Sequence, residues 1–478
     1  MEPISSFLLG LALFAASMLA SMHILLTKRD VRAAIGWVAI IWLLPGAGAM
    51  GYLVLGVNRV QRRAERQLRE KLGALRHAKG QPEHHGLLTL DPTAAPRFLA
   101  HSRLGHGLTG LPLCGGNHLK MLINGDEAYP AMLEAINTAQ RSVAFCTYIY
   151  DWDSVGQEFA RALKAAVGRG VKVCVLVDAM GSPLIAGRLR KMGIDARAFN
   201  RPSLSHLTFL NLRTHRKLLL VDGRTGFTGG MNIRDIHRAF GERGLQSQDV
   251  MFRVKGPVLS QLFTVFDEDW RFAGGEALHG PSWQVLKHPD EDNPVGPAVT
   301  RAVPDGPEEE FSNAGWIIES ALSIARRRVR ISTPYFLPDI HLLSALSQAA
   351  LRGVEVDILV PERNNYRVMG WASEALFEGL LKRGVRLHLT PPPLDHMKMM
   401  VVDDYWAMIG STNWDARSFR LNFELNLEIF DAATARSLDG FLEERQKKTR
   451  TITWSEVRKR PLPIHLRNRA AWLMSPYL

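Results

Sequence analysis

His215, Lys217, Asp222, Gly229 and Asn232 recur, at the same spacing, as His396, Lys398, Asp403, Gly410 and Asn413. The two copies read HRKLLLVDGRTGFTGGMN and HMKMMVVDDYWAMIGSTN. An imidazole can attack or carry a proton near neutral pH, and an ammonium group holds anionic oxygen. Displacement at a phosphodiester needs a nucleophile, an acid for the departing alcohol and cations over the phosphoryl oxygens. One copy offers a single histidine, whereas two copies face to face offer both nucleophile and acid. The repeat therefore predicts one phosphodiester-cleaving site assembled from two halves.

The elements that must carry these groups are legible nearby. An apolar run follows each histidine, KLLLVD and KMMVVD, so both motifs begin on a strand. Histidine and lysine two residues apart project from one strand face. Asn232 and Asn413 follow small-residue turns, Gly229-Gly230 and Gly410-Ser411, from which an amide can reach phosphate. Asp222 and Asp403 lie where each strand turns, and two roles stay open for them: fixing the turn by local hydrogen bonds, or direct chemistry.

With these residues the chain resembles the phospholipase D superfamily and, within it, the bacterial cardiolipin synthases. The superfamily signature, H-x-K-x4-D with G-(G/S)-x-N downstream, is met in both copies, through Gly230 in one and Ser411 in the other. The narrower resemblance rests on THRKLLLVDG, GSTNWDARSFRLNFELNLEI, the ending LMSPYL and two hydrophobic N-terminal segments. It implies an α/β, duplicated phospholipase D-like fold with the active site between two pseudo-symmetric halves, preceded by two transmembrane helices. It implies that His215, Lys217, Asp222, His396, Lys398 and Asp403 are catalytic, with Asn232, Asn413, Gly230 and Ser411 supporting phosphate. An acid downstream of each motif orients the opposite histidine in this superfamily, which pairs Asp249 with His396 and Glu424 with His215. The implied reaction transfers a phosphatidyl group between two phosphatidylglycerols through a phosphatidyl-histidine, with no cofactor and no metal. The alternatives are a hydrolase, a transphosphatidylase with another acceptor, and a superfamily nuclease.

Composition narrows the partner. The chain has 478 residues, a formal charge of +12 and 46% hydrophobic residues. Such a charge favours an anionic partner, nucleic acid or membrane lipid. Ile4 to Leu26 contains no charged residue and is long enough to span a bilayer as a helix, and Ala33 to Val57 is a second uncharged stretch, interrupted by Pro45 and glycines. These segments point to anionic membrane lipid rather than nucleic acid, and the resemblance implies phosphatidylglycerol as the substrate. Arg59, Arg62, Arg63, Arg66, Arg69 and Lys71 follow directly and outweigh Lys28, Arg29 and Arg32 in the loop. That asymmetry predicts a multi-pass protein of the bacterial cytoplasmic membrane with its catalytic domain in the cytoplasm. Gly46, Gly48 and Gly51 match G-x-G-x-x-G, but inside a membrane run with no strand–turn–helix around them, so no nucleotide site is expected. Cys114, Cys146 and Cys174 lack metal-ligand spacing.

The remaining chain divides into residues 58–115, a basic juxtamembrane linker; 116–289, a first repeat; 290–310, a Pro/Gly-rich acidic joint; and 311–478, a second repeat with a C-terminal tail. Each repeat reads helix, strand, helix, strand before its histidine, which predicts α/β units with largely parallel pairing. With no metal-ligand cluster or phosphate loop in the sequence, phosphatidyl transfer is expected to run unchanged in excess chelator and without nucleotide. Activity lost in chelator and restored by one divalent ion is the contrary result.

Overall fold

The computed structural model describes residues 2–28, 31–53, 96–200, 212–242, 244–285, 295–307 and 312–475. The chain forms two compact units, Met1–Gln67 and Leu68–Leu478. All of the basic run after the apolar segments, from Arg59 to Lys71, and the last three residues of LMSPYL lie outside the described residues.

In the first unit, Glu2–Thr27 is one helix of 26 residues, and its Ser6–Thr27 portion is long and apolar enough to cross a membrane. The second stretch departs from the expected span. Its helix, Val31–Leu43, has 13 residues, about 20 Å at 1.5 Å per residue, against a hydrocarbon core of about 30 Å. Pro45 cannot continue the ladder, Gly46 turns with φ 84, and a short helix Ala47–Gly51 follows. Of the two expected transmembrane helices, one is long and apolar enough to cross a membrane, and the described part of the second stretch is a shorter, broken helix. Gly48 serves packing: a Cβ there would fall 2.5 Å from the Ile40 carbonyl oxygen. Ala20, Ile24, Ile41, Ala49 and Tyr52 close around that contact.

The second unit is built on one sheet. Its first half supplies β1 (Cys114–Ile123), β2 (Ser142–Thr147), β3 (Lys172–Asp178), β4 (Asp195–Phe199), β5 (Arg213–Thr214), β6 (Leu218–Val221), β7 (Thr225–Gly229), β8 (Ser247–Gln248) and β9 (Val250–Lys255). The second half supplies β10 (Ala298–Asp305), β11 (Arg328–Ser332), β12 (Phe336–Leu337), β13 (Glu355–Pro361), β14 (Arg386–Thr390), β15 (Leu394–Asp395), β16 (Met399–Val402), β17 (Trp406–Gly410), β18 (Trp414–Asp415), β19 (Asn422–Phe430) and β20 (Arg450–Ile452). The strand order is β20-β14-β13-β11-β16-β17-β19-β10-β1-β9-β7-β6-β2-β3-β4. Read outward from the β10–β1 seam, the two sides repeat the same order, so the duplication in sequence is a two-fold repeat in topology. Each half has its own apolar core.

Apart from a two-residue contact of β5 with β19, parallel pairing within this sheet is confined to β2–β3–β4 and β11–β13–β14. From each histidine strand to the seam the neighbours are antiparallel. The expectation of largely parallel pairing is corrected there, because tight turns at Asp222 and Asp403, both with positive φ, make hairpins of β6–β7 and β16–β17.

Two expected connections contain structure. The 290–310 joint includes β10, the second half's seam strand. The 58–115 linker ends in the helix Pro96–Thr109, whose Phe98 and Leu108 pack into the second half's core. That helix meets the seam at a buried ion pair. Arg301 Nε donates to Glu428 Oε2 at 2.8 Å, its Nη1 donates to the Ser102 carbonyl at 2.9 Å, and Trp406 Nε1 donates to Glu428 Oε1 at 3.2 Å. Burial works to raise the Glu428 carboxyl, but Arg301 and His101 override it and hold it at about 2. Arg301→Ala leaves that carboxylate buried without its cation and is expected to destabilise the unit by about 3–5 kcal/mol, read as thermal unfolding in detergent. The deficit should narrow in acid, because the variant's Glu428, no longer held ionised, takes up a proton before the wild type's does.

Candidate active site

Each histidine is placed by a short parallel pairing between the halves. β5 lies beside the start of β19, with Arg213 opposite Asn422 and Thr214 opposite Phe423. The next residue on each chain is then His215 and Glu424. The His215 amide donates to the Phe423 carbonyl at 2.8 Å, and Nδ1 stands 2.9 Å from Glu424 Oε2. β15 lies beside β8 in the same way, Leu394 opposite Ser247 and Asp395 opposite Gln248. The His396 amide donates to the Gln248 carbonyl at 2.8 Å, and Nδ1 stands 2.9 Å from Asp249 Oδ2. A carboxylate on Nδ1 fixes the tautomer and leaves Nε2 for chemistry. The dyads are crossed: each histidine takes its acid from the other half.

Lys217 and Lys398 are buried. Lys217 Nζ donates to the His215 carbonyl at 2.6 Å and stands 5.6 Å from the centre of the Tyr148 ring. Lys398 Nζ donates to the His396 carbonyl and lies 2.8 Å from Nδ1 of the same ring. Burial pulls the lysines down from the usual ammonium range, Lys217 to about 7 and Lys398 to about 8, against the pull of Glu424 and Asp249. Burial also lowers His215, to about 4, although Glu424 opposes it. His396 falls well below its ordinary value through burial and the charges of Lys398 and Lys217. Groups from both halves act on one another, so the two motifs form a single electrostatic site. An anion bound between them would favour the charged form of both lysines.

The two acids are held differently. Burial favours protonation of both. At Glu424 the imidazole of His215, Lys217 and the Ser411 hydroxyl outweigh burial and keep the carboxyl below the usual range. At Asp249 burial prevails over Lys398 and His237. Gly230, which occupies Ser411's place in the first motif, has no hydroxyl to offer, and a Cβ there would lie 2.4 Å from Asp249 Oδ1. Asn232 Oδ1 accepts from the Ile149 amide at 3.0 Å, while Asn413 Oδ1 is buried with no protein partner among the described residues.

Asp222 and Asp403 stand apart from this cluster, at the far end of β6 and β16, about 16 Å along the strand from each lysine at 3.3 Å per residue. Asp222 accepts from the amides of Gln140, Arg141 and Ser142 at 2.7–2.9 Å. Asp403 accepts from those of Arg326, Arg327 and Arg328 at 2.8–3.2 Å and from Arg97 Nη2 at 2.6 Å. Of the two roles left open for them, this placement supports fixing the turn by local hydrogen bonds. They join each histidine strand to the strand beside it.

The comparisons with known proteins fit this arrangement. Residues 132–270 and 318–445 match the family model described as cardiolipin synthase, phospholipase D-like domain. Residues 15–56 match a phospholipase D-nuclease N-terminal model. The chain is 31% identical to the major cardiolipin synthase of Bacillus subtilis, over 99% of this chain and all of that one. It is 32% identical to cardiolipin synthase A of Pseudomonas entomophila, over 99% of this chain and 98% of that one. This chain belongs to the cardiolipin synthase family of phospholipase D-like proteins. Among solved structures, a phosphatidylserine synthase from Haemophilus influenzae superposes with a TM-score of 0.60 at 16% identity, covering 79% of this chain and all of that one. That likeness concerns the fold. With its long apolar helix, this member of the cardiolipin synthase family is a membrane protein.

Three groups at the site escaped the motif reading. Tyr148 stacks edge-on against His215 at 5.1 Å, and Tyr335 against His396 at 6.0 Å. Their sequence signal is the matching end of two repeat strands, FCTY and ISTPY. The third is Arg216, inside the first motif, buried where the second motif has Met397. Its Nε donates to the Glu424 carbonyl at 2.9 Å, Nη1 to Asp269 Oδ1 at 2.5 Å and Nη2 to the Asp305 carbonyl at 2.7 Å. It thereby fastens the His215 segment to β19 and β10.

The lowered lysines set a pH expectation. Raising the pH removes an ammonium from Lys217 at about 7 and Lys398 at about 8, and lowering it protonates His215 only near 4. The kcat/KM profile on detergent-dispersed phosphatidylglycerol, which reports the free enzyme, is therefore expected to fall on the alkaline side between those lysine values. A fall delayed to the ordinary lysine value of about 10.4 contradicts the assignment.

Proposed function

We propose that this chain is a cardiolipin synthase that transfers a phosphatidyl group from one phosphatidylglycerol to another, releasing glycerol, through a covalent phosphatidyl-histidine. The crossed pair of histidine–carboxylate dyads, between two buried lysines, is the observation that carries the reading. His215 attacks phosphorus. Attack leaves a cationic imidazole ring, and Glu424, kept ionised by its surroundings, neutralises it, which favours His215 over His396 as nucleophile. His396, which takes up a proton as the phosphodiester anion binds beside it, gives that proton to the departing glycerol oxygen as the P–O bond breaks, then takes one from a glycerol hydroxyl of the second phosphatidylglycerol as that oxygen displaces His215. Lys217 and Lys398, with the Asn232 and Asn413 amides, hold the phosphoryl oxygens as charge builds on them. One phosphodiester replaces another, so the exchange needs little driving force and no nucleotide.

The lysine and arginine cluster after the apolar segments supports placing the catalytic unit in the cytoplasm of a bacterial inner membrane, with anionic lipid beside it. Hydrolysis, or transfer to another acceptor, would use the same first step and differ in the second. Purified protein given phosphatidylglycerol alone is expected to yield cardiolipin and glycerol in equal amounts; phosphatidic acid as the main product would identify a hydrolase. His215→Ala and His396→Ala should each lower turnover by at least about a thousandfold. Near-normal turnover in either one contradicts the shared site.

A further inference from the structure

The end of the sheet that carries the histidines also carries a ring of exposed apolar side chains. In the first half, Asp178 closes β3 and accepts from the Thr214 amide at 3.0 Å and the Met180 amide at 2.9 Å, which ties the 179–184 loop to the segment bearing His215. Leu184 in that loop takes a left-handed backbone, φ 67, uncommon for leucine, and is 78% exposed. Phe240, in the loop between Asn232 and Asp249, is 91% exposed. The loop is held there by the Ala239 amide, which donates to Asp126 Oδ2 at 2.8 Å.

The second half closes the ring. Tyr366, 64% exposed, lies 6.0 Å from Tyr335, the ring that flanks His396. The helix Leu462–Leu473 packs Ala471 against Leu337 and Met369, which brings its end to the same place. There Leu473 is 71% exposed and Met474 is exposed beside it. Arg363 and Arg367 flank Tyr366 and are exposed, so cationic groups alternate with the apolar ones.

We propose that this ring is a membrane-docking surface, on which the catalytic unit lays the mouth of its cleft against an anionic bilayer. The proposal rests on the phospholipid-transferring function above and adds the route by which lipid enters. Aromatic and leucine side chains interleaved with arginine suit the boundary between head groups and acyl chains. A bilayer pressed on the ring delivers substrate through the contact itself, whereas a protein seated there would cover the entrance.

The test uses the full chain in vesicles of phosphatidylglycerol and phosphatidylethanolamine, carrying Leu184→Asn, Phe240→Ser and Leu473→Ser together. Cardiolipin formation from bilayer lipid is expected to drop about tenfold or more, with turnover of monomeric short-chain phosphatidylglycerol kept within about twofold. Leu351→Ser, an equally exposed leucine at the opposite end of its parallel unit, should alter neither. A triple variant as fast as the wild type on bilayer lipid overturns the proposal. Independently, an environment-sensitive fluorophore on Phe240→Cys should shift to the blue in anionic vesicles and be quenched by brominated lipid. An unshifted label, or a shift that follows protein concentration rather than lipid, overturns it too, the latter in favour of a second copy. Should the wild type make no cardiolipin from either form of lipid, the functional reading fails while the fluorophore still decides the docking.

Discussion

The parallel pairing of β5 with β19 and of β15 with β8 fixes everything else at the site. Each contact is only two residues long, yet it sets the register of a histidine against a carboxylate on a different half. Because side chains alternate along a strand, a slip of one residue would turn the imidazole away from its acid. The continuous sheet across β10 and β1 keeps that register, since neither half can shift without breaking a ladder that runs through both. Arg216 reinforces the first of these contacts directly, and the Arg301–Glu428 pair holds β10 against β19 within the second half.

Burial then determines the chemistry. In water the same lysines would be fully charged and heavily hydrated; enclosed here, they sit close to the point of losing a proton. Such groups respond strongly to an arriving anion, and their hydrogen bonds act in a medium where they count for more. Edge-on tyrosines, Tyr148 and Tyr335, lie against the two imidazoles and add to their enclosure. The site is thus arranged to answer the charge of a bound anion.

Much of this was legible in the sequence because the signals were local and doubled. The histidine and lysine spacing, the apolar runs that became β6 and β16, and the helix–strand order of each repeat needed no tertiary information. Asp222 and Asp403 were ambiguous because an aspartate at a turn looks the same in either role. Only the three amides aimed at each carboxylate distinguish them. The direction of pairing is not legible in the sequence because helix–strand alternation ends at each histidine, after which tight turns take over. The membrane stretch from Ala33 was read by its lack of charge, but Pro45 and the glycines decided its shape. Arg216 carries no signal at all in one sequence: an arginine beside a histidine shows its three partners only once distant strands have met.

Fusing two copies of a motif in one chain permits something that a symmetric pair of identical chains cannot achieve. In such a pair every difference would be shared by both sides, and the two histidines would remain equivalent. Here Ser411 faces Gly230, Glu424 faces Asp249 and Arg216 faces Met397, so the two dyads have drifted into unequal electrostatic settings inside a common frame. Once two imidazoles are unequal, they can divide labour, one taking the covalent load while the other handles protons. The asymmetry is small in residues and confined to the shell around two rings, and the shared sheet makes it safe to accumulate.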